Sequence, residues 1–479
     1  MKNKIISKPD LIKAKNRNPG KSDIIYLNNE VSDFLLEFAK NKKYFIRTYG
    51  CQANVRDEES MKGMLEGVGF SQVDEEKDAD VIILNTCAVR ENAEDKVYGE
   101  IGNLKALKLK NKDLIIALCG CMVEQPEILE KVLNTYPHVN LIYGTHEVHN
   151  LLNYLEEVIK TKQRLISVES KEGEVYEGLP ACRNNKYKAF VNIIYGCNKF
   201  CSYCIVPYAR GKERSRMFND IVKECEELVK NGYQEITLLG QNVNAYGKDI
   251  NEGYDFADLL EAVAKTGIAR LRFTTSHPWD FSNRMIDVIA KYDNIMKCIH
   301  LPVQSGNDEI LKLMGRRYDS KHYMDLVTTM KEKIPGLTLS TDIIVGFPNE
   351  SEEQFLDTLK LVDFVKYDSA FTFIYSPRRG TPAAKMVDNI SYQEKVVRFK
   401  ELVKHLENTI SASAEKMVGN VYKVLVDGPS KTDKNMFSGY TECNRLVHFK
   451  GDETMVGKII NVKILENKVY SLKGEIVNG

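Results

Sequence analysis

Short apolar runs alternate with amphipathic stretches twice along these 479 residues, and that alternation commits both regions to parallel strands covered by helices. In the first series, apolar runs at 44–48, 81–84, 114–118 and 139–143 are each followed by a helical pattern. They predict a flavodoxin-like doubly wound parallel sheet over residues 43–160. Gly178, Pro180 and the pair Asn184-Asn185 mark a linker, placed at 161–186. The second series has strands at 189–194, 236–239, 271–274, 298–302, 339–345 and 370–375, which match a partial or complete (β/α) barrel over 187–412. From about Val418 helical periodicity stops. Short alternating runs separated by turn residues predict a small OB-like β-barrel over 413–479. The overall class is α/β.

An open parallel sheet brings every strand's carboxyl end to one edge, and barrels build their sites at the same end of their strands. Cysteines occupy both places. Cys197, Cys201 and Cys204 form a C-x3-C-x2-C triplet directly after the first barrel strand. Three thiolates on one loop can hold three irons of a cubane cluster and leave the fourth iron open for chemistry. A structural zinc knuckle is the competing reading, but closed zinc sites take four ligands in paired units, and no His lies near the triplet in sequence. Cys51 in TYGCQAN, Cys87 in LNTCAVRENAE and Cys121 in LCGCMVEQP follow successive strands of the first sheet. One such thiol alone reads as a buried apolar residue; three at equivalent positions point to a second cluster. Cys119, two residues before Cys121, faces the same way on an extended chain, so the residues alone leave the third ligand open.

Lys and Arg number 67, as do Asp and Glu, so net charge does not advertise a nucleic-acid partner. Two local clusters do so weakly, with solvated surface as the plainer reading. One is the N-terminal tail, where Lys2, Lys4, Lys8, Lys13, Lys15, Arg17 and Lys21 face two acids; the other is Arg210, Lys212, Arg214 and Arg216. The tail, 1–42, is expected to be disordered or peripheral. No apolar run reaches the length of a membrane span and the N-terminus lacks a signal-peptide core, so a reducing cytoplasm and no membrane are expected. Eleven cysteines there read as metal ligands and buried thiols.

The segment YGCNKFCSYCIVPYARGKERSR resembles the radical S-adenosylmethionine (SAM) enzymes. Together with TYGCQAN, LLGQNVNAYG, HLPVQSG and TECNRLVHFKG, it resembles the methylthiotransferases from about Tyr44 to the C-terminus, in the order N-terminal methylthiotransferase domain, radical SAM barrel, TRAM domain. The branch it looks closest to acts on N6-dimethylallyladenosine beside the tRNA anticodon. Ala53 stands where that branch commonly has Met, and MGRRYD replaces a more usual MNRGYT pattern; neither touches an inferred cluster ligand.

The resemblance implies two 4Fe–4S clusters, one on Cys51, Cys87 and Cys121 and one on Cys197, Cys201 and Cys204, the latter binding SAM and generating a 5′-deoxyadenosyl radical. It implies methylthiolation at C2 of the adenine, with the N-terminal cluster as the site of sulfur delivery, a second SAM as methyl donor, and an external electron donor and sulfur source. The C2 hydrogen is beyond side-chain bases at neutral pH, which is why a cofactor radical is required. Candidate SAM contacts at the barrel mouth are Gln241, Ser276, Gln304, Arg316 and Asp342, with local capping or loop orientation as the alternative for Asp342 and Gln304. Candidate contacts to the anticodon stem-loop are Arg210, Lys212, Arg214, Arg378 and Arg379. Competing functions are a methylthiotransferase for threonylcarbamoyladenosine tRNA or a ribosomal protein aspartate, and a non-catalytic metal protein that binds RNA.

Overall fold

The computed structural model describes residues 3–10, 22–27, 30–88, 91–169, 174–250, 252–431, 433 and 435–477, with the side chains of 91–93 excepted. Strands β1 (Asn3–Ser7), β3 (Lys43–Thr48), β4 (Ser71–Gln72), β5 (Val81–Thr86), β6 (Ile115–Gly120), β7 (Leu141–Tyr143) and β8 (Arg164–Ser167) form one sheet in the order β1-β8-β7-β6-β5-β3-β4. Every pairing is parallel. The central strands β5 and β6 are buried at every position, as a sheet covered on both faces requires. One face packs Ile83, Ala117 and Leu141 against helices Gln52–Gly67 and Leu151–Thr161, and the other packs Ile82, Leu118 and Ile142 against helices Glu91–Lys110 and Pro126–Thr135. From β4 through β8 the order is that of a flavodoxin-like fold.

Two expected boundaries are corrected. Residues 1–42 contain β1, which joins the sheet edge beside β8; β2 (Asp23–Tyr26), which pairs in parallel with β9 (Glu174–Glu177); and the helix Asp33–Ala39, capped by Ser32. The span 161–186 contains both β8 and β9. An edge strand needs little apolar sequence: β1 offers only Ile5 and Ile6, and β8 only Leu165 and Ile166, each pair between polar neighbours that mask the pattern. Lys2, Lys13, Lys15, Arg17 and Lys21 lie outside the described residues.

The second region is a partial barrel of two parallel three-stranded arcs. The first is β10 (Lys188–Asn192), β13 (Glu235–Leu239) and β14 (Arg270–Phe273); the second is β15 (Cys298–His300), β16 (Thr338–Val345) and β17 (Ser369–Ile374). Alternate residues sort between two environments. Leu339, Ile343 and Val345 of β16 pack outward on the helices, while Asp342 and its neighbour His300 face the lumen with Phe371. A short antiparallel pair, β11 (Ile194–Tyr195) with β12 (Arg214–Ser215), closes the loop that carries the cysteine triplet.

The C-terminal strands β18 (Val421–Pro429), β19 (Phe437–Thr441), β20 (Leu446–Phe449), β21 (Ile459–Asn467) and β22 (Leu472–Ile476) form a closed barrel. The helix Tyr392–Glu415 joins it to the larger barrel: Leu402, Leu406 and Ile410 belong to the (β/α) core, and Ala414 to the small barrel's core. Arg270 fastens the two by donating to the carbonyls of Tyr440 (2.8 Å) and Lys423 (2.7 Å). Among the described residues, no helix is long and apolar enough to cross a membrane.

Candidate active site between two thiol triplets

Cys51, Cys87 and Cys121 each follow a strand end of the N-terminal sheet. Cys51 caps the helix Gln52–Gly67 and remains exposed, whereas Cys87 and Cys121 are buried. Two asparagines tie the strand ends together. Asn54 donates to the Asn85 side chain (3.2 Å) and the Thr86 carbonyl (3.1 Å), and Asn85 donates back to the Asn54 carbonyl (2.8 Å). Gly120 lies at φ +95, where an added Cβ would fall 2.3 Å from the Thr86 carbonyl oxygen. This left-handed residue turns the chain out of β6 into the short helix Cys121–Glu124. The turn separates Cys119 from Cys121. Cys119 points into the core against Met61, while Cys121 faces the barrel.

The second triplet is built locally. Gly196, at φ +70, lets Tyr195 and Arg214 pair, since a Cβ there would lie 2.0 Å from the Lys212 carbonyl oxygen. Cys197 N–H donates to the Gly211 carbonyl (3.1 Å), and Gly196 N–H donates to Gln241 Oε1 (2.6 Å). The loop is clamped twice more. Asn198 and Glu213 exchange backbone-to-side-chain hydrogen bonds at 3.2 Å, and Lys199 pairs with Asp280 at 2.5 Å. Asp280 is almost fully buried and also meets Lys248 (2.6 Å) and Asn242 (2.8 Å). These three partners, with burial opposing them, hold its carboxyl below the ordinary carboxylate value. Glu213, Asn242 and Asp280 lie in or beside motifs visible in the sequence, but a burial pattern was needed to single them out.

Both sets are all-thiol. Burial pushes Cys121 and Cys204 up to about 12 and Cys197 well above the ordinary thiol value, with neighbouring thiols of the same triplet adding to each shift. Buried thiols at such values stay protonated at neutral pH unless a cation replaces the proton. Iron would do so, and the donor set fits it. Among the described residues no His, Cys, Asp or Glu group is drawn close enough to hold a single metal ion; a cubane asks for wider spacing, because each thiolate meets a different iron.

The candidate SAM contacts divide. Ser276 is buried at the mouth with a hydroxyl that finds no hydrogen-bond partner among the described residues, and the Asn242 side-chain Oδ1 is likewise orphaned among them. Unpaired buried groups of this kind fit a polar ligand. Gln304 lies at φ +74 and Thr275, beside Ser276, at φ +69; such strained non-glycine backbone collects at functional sites. Gln241 supports the cysteine loop through Gly196. Arg316 is engaged within the chain: its Nη1 donates to Cys201 Sγ (3.6 Å), its Nη2 to the Pro302 carbonyl (2.7 Å) and its Nε to the Tyr318 hydroxyl (2.9 Å). Asp342 lies in the lumen 3.5 Å from His300 Nε2.

The basic run has another setting than the exposed phosphate-facing loop expected of it. Arg210, Lys212, Arg214 and Arg216 are all buried. Arg210 donates to Cys121 Sγ (3.3 Å) and Asp57 (2.7 Å), Arg214 meets His146 (3.1 Å), and Arg216 meets Glu177 and Glu224. Asp57 of the N-terminal domain, Glu177 of β9 and Glu224 of helix Phe218–Lys230 take up Arg210 and Arg216, two charges of a run that looks solvent-facing in sequence. Ala88 and Cys121 pack on Ile205, Tyr208 and Ala209 at the same junction. After β17, Arg378 is half-buried and Arg379 exposed.

Comparison with known proteins agrees with this architecture. Residues 191–362 match the radical SAM superfamily, 43–144 the uncharacterised protein family UPF0004, and 415–477 the TRAM domain. The radical SAM methyltransferase TsrM from Kitasatospora setae shares the fold at TM-score 0.52 and 14% identity, covering 72% of this chain and 77% of that one. The class is therefore a radical SAM enzyme with an added N-terminal sheet and C-terminal barrel. Among its relatives, the tRNA-2-methylthio-N(6)-dimethylallyladenosine synthase of Bacillus subtilis (strain 168) is 52% identical over 98% of this chain and 92% of that protein. That of Geobacillus thermodenitrificans is 50% identical over 98% and 90%. The chain belongs to this synthase family.

Proposed function

We propose that the chain converts N6-dimethylallyladenosine beside the tRNA anticodon to its 2-methylthio form, using SAM and two 4Fe–4S clusters. The observation that carries this reading is the meeting of two all-thiol triplets across one junction, where the segment from Cys204 to Arg210 touches both. When bound, the radical SAM centre supplies hydrogen abstraction from an unactivated carbon and the second centre supplies sulfur. Cys197, Cys201 and Cys204 would hold the first, and Cys51, Cys87 and Cys121 the second.

The chain's own residues bind and orient. Ser276 and Asn242 offer unpaired polar atoms to SAM at the mouth. His277 is held neutral by burial, with Arg316, Lys199 and Lys248 adding to the effect, so it presents no charge to a sulfonium ligand. Phe371, 57% exposed on the lumen face of β17, offers a ring on which a splayed-out base can stack. Arg378, Arg379 and the small barrel are the elements left to grip the anticodon stem-loop once the buried arginines are set aside. The electron donor and the sulfur source come from outside the chain.

The test is nucleoside mass spectrometry of tRNA from cells lacking the gene. Loss of 2-methylthio-N6-dimethylallyladenosine with accumulation of N6-dimethylallyladenosine is expected. Unchanged levels of that nucleoside, or loss of a methylthiolated threonylcarbamoyladenosine in its place, would reject the assignment.

A further inference from the structure

One thiol of each triplet receives a buried guanidinium: Cys121 from Arg210 at 3.3 Å and Cys201 from Arg316 at 3.6 Å. The two arginines differ in what else they meet. Arg210 Nη2 is 2.7 Å from Asp57 Oδ2, and Asp57 lies on the helix that Cys51 caps. Arg316 is held by a carbonyl and a phenol, and among the described residues it makes no ion pair. The N-terminal triplet therefore carries a compensated charge at its edge, and the radical SAM triplet an uncompensated one. Buried charges act strongly on one another because little solvent screens them. Hydrogen bonds to the ligand sulfurs and local net charge are what set the potential of an iron–sulfur centre.

We propose that Arg210 and Asp57 form a potential-setting pair for the centre held by Cys51, Cys87 and Cys121, Arg210 favouring its reduced form and Asp57 opposing that pull. This rests on the reading that the N-terminal triplet holds a cluster. Neither residue is a ligand; both act through Cys121. Arg210 also follows Cys204 by six positions in the chain, so the pair ties the electrostatics of one triplet to the loop that positions the other. A purely structural pair would move the potential alike in both variants or leave it alone. A charge pair predicts opposite signs.

The experiment uses the full-length chain carrying C197A, C201A and C204A, so that only the N-terminal triplet can bind iron, reconstituted anaerobically with iron and sulfide. Iron and acid-labile sulfide are counted first. The centre is then titrated with a one-electron reductant in the presence of redox mediators and followed by electron paramagnetic resonance, each electron passing from titrant to centre. Arg210→Met, which leaves Asp57 uncompensated, is expected to shift the equilibrium at least tenfold toward the oxidised form, about 59 mV for a one-electron couple. Asp57→Asn, which leaves Arg210 uncompensated, is expected to shift it at least tenfold the other way. Arg210→Lys, retaining the charge, is expected to stay within about threefold of the parent, well inside that tenfold step. Should R210M not take up iron, the D57N and R210K arms decide. Shifts of the same sign, or none beyond twofold, overturn the pair's role. A parent that binds no iron overturns the cluster reading as well, and the iron count separates the two failures.

Discussion

The two thiol triplets reach a common junction by opposite routes. Cys197, Cys201 and Cys204 lie on one loop, closed by a two-residue ladder and clamped by Gln241, Glu213 and Asp280. Cys51, Cys87 and Cys121 come from three strand ends, so their geometry is the geometry of the whole parallel sheet. A local site can keep its shape while distant parts of the fold loosen. A site gathered across a sheet lasts only as long as the strand order and register do.

The sharpest way to break this comparison is to remove one thiol from each side. Cys197→Ala is expected to abolish SAM cleavage, measured as 5′-deoxyadenosine release, and to lower bound iron from about eight to about four per chain. Cys51→Ala is expected to lose the same amount of iron, retain SAM cleavage and insert no sulfur. Retained cleavage in the first variant, or zinc in place of iron in the wild type, would end the two-centre account.

The glycines sharpen it next. Gly196→Ala puts a Cβ 2.0 Å from the Lys212 carbonyl oxygen and Gly120→Ala puts one 2.3 Å from that of Thr86, both at positive φ. Each costs more than the roughly 1 kcal/mol such a residue needs in a left-handed conformation, because backbone must also move. Gly196→Ala is expected to lose SAM cleavage by at least tenfold with the N-terminal iron intact. Gly120→Ala is expected to lose N-terminal iron and lower the thermal midpoint, because its strain falls between two central strands. Equal midpoint losses in both variants would contradict the local-versus-global distinction.

How far the sequence was legible follows the same divide. The spacing of Cys197, Cys201 and Cys204 is a local fact and was readable at once, as were the six strands of the barrel. The resemblance, and not the spacing, names Cys121 over Cys119; the residues alone did not reveal the turn at Gly120, which leaves Cys119 in the core and Cys121 facing the barrel. The long-range partners were hidden for a plain reason: Arg210 and Arg216 look like part of a solvated basic run until Asp57, Glu177 and Glu224 are brought to them from elsewhere in the chain. The strands β1 and β8 escaped because two apolar residues suffice at and next to an edge. Sequence periodicity reports burial, and it is silent on which opposite charge will arrive.

The smallest expected effect distinguishes the carboxyls behind the two triplets. Glu124 accepts from the Thr145 N–H (2.8 Å) and hydroxyl (3.1 Å), but its second oxygen is buried without a partner among the described residues. Burial pushes its pKa up to about 8, against the pull of the Thr145 hydrogen bonds. Glu213, behind the radical SAM loop, is also raised by burial, but Asn198, Lys199 and Asn242 oppose the shift. In the unfolded chain Glu124 ionises near 4.5, so between that value and about pH 8 the native state holds a proton the unfolded state has released. Stability from this group is therefore intact below about pH 4.5 and is lost as pH rises toward 8. In the cluster-free protein, Glu124→Gln is expected to match the wild type in thermal midpoint at pH 4.5 and to exceed it by a few degrees at pH 8.5. Glu213→Gln, which gives up the Lys199 attraction that offsets burial of the carboxylate, is expected to gain less over the same range. A Glu124→Gln midpoint that tracks the wild type at both pH values would show that the N-terminal thiol site carries no buried acid of its own, and would remove this last asymmetry between the two halves.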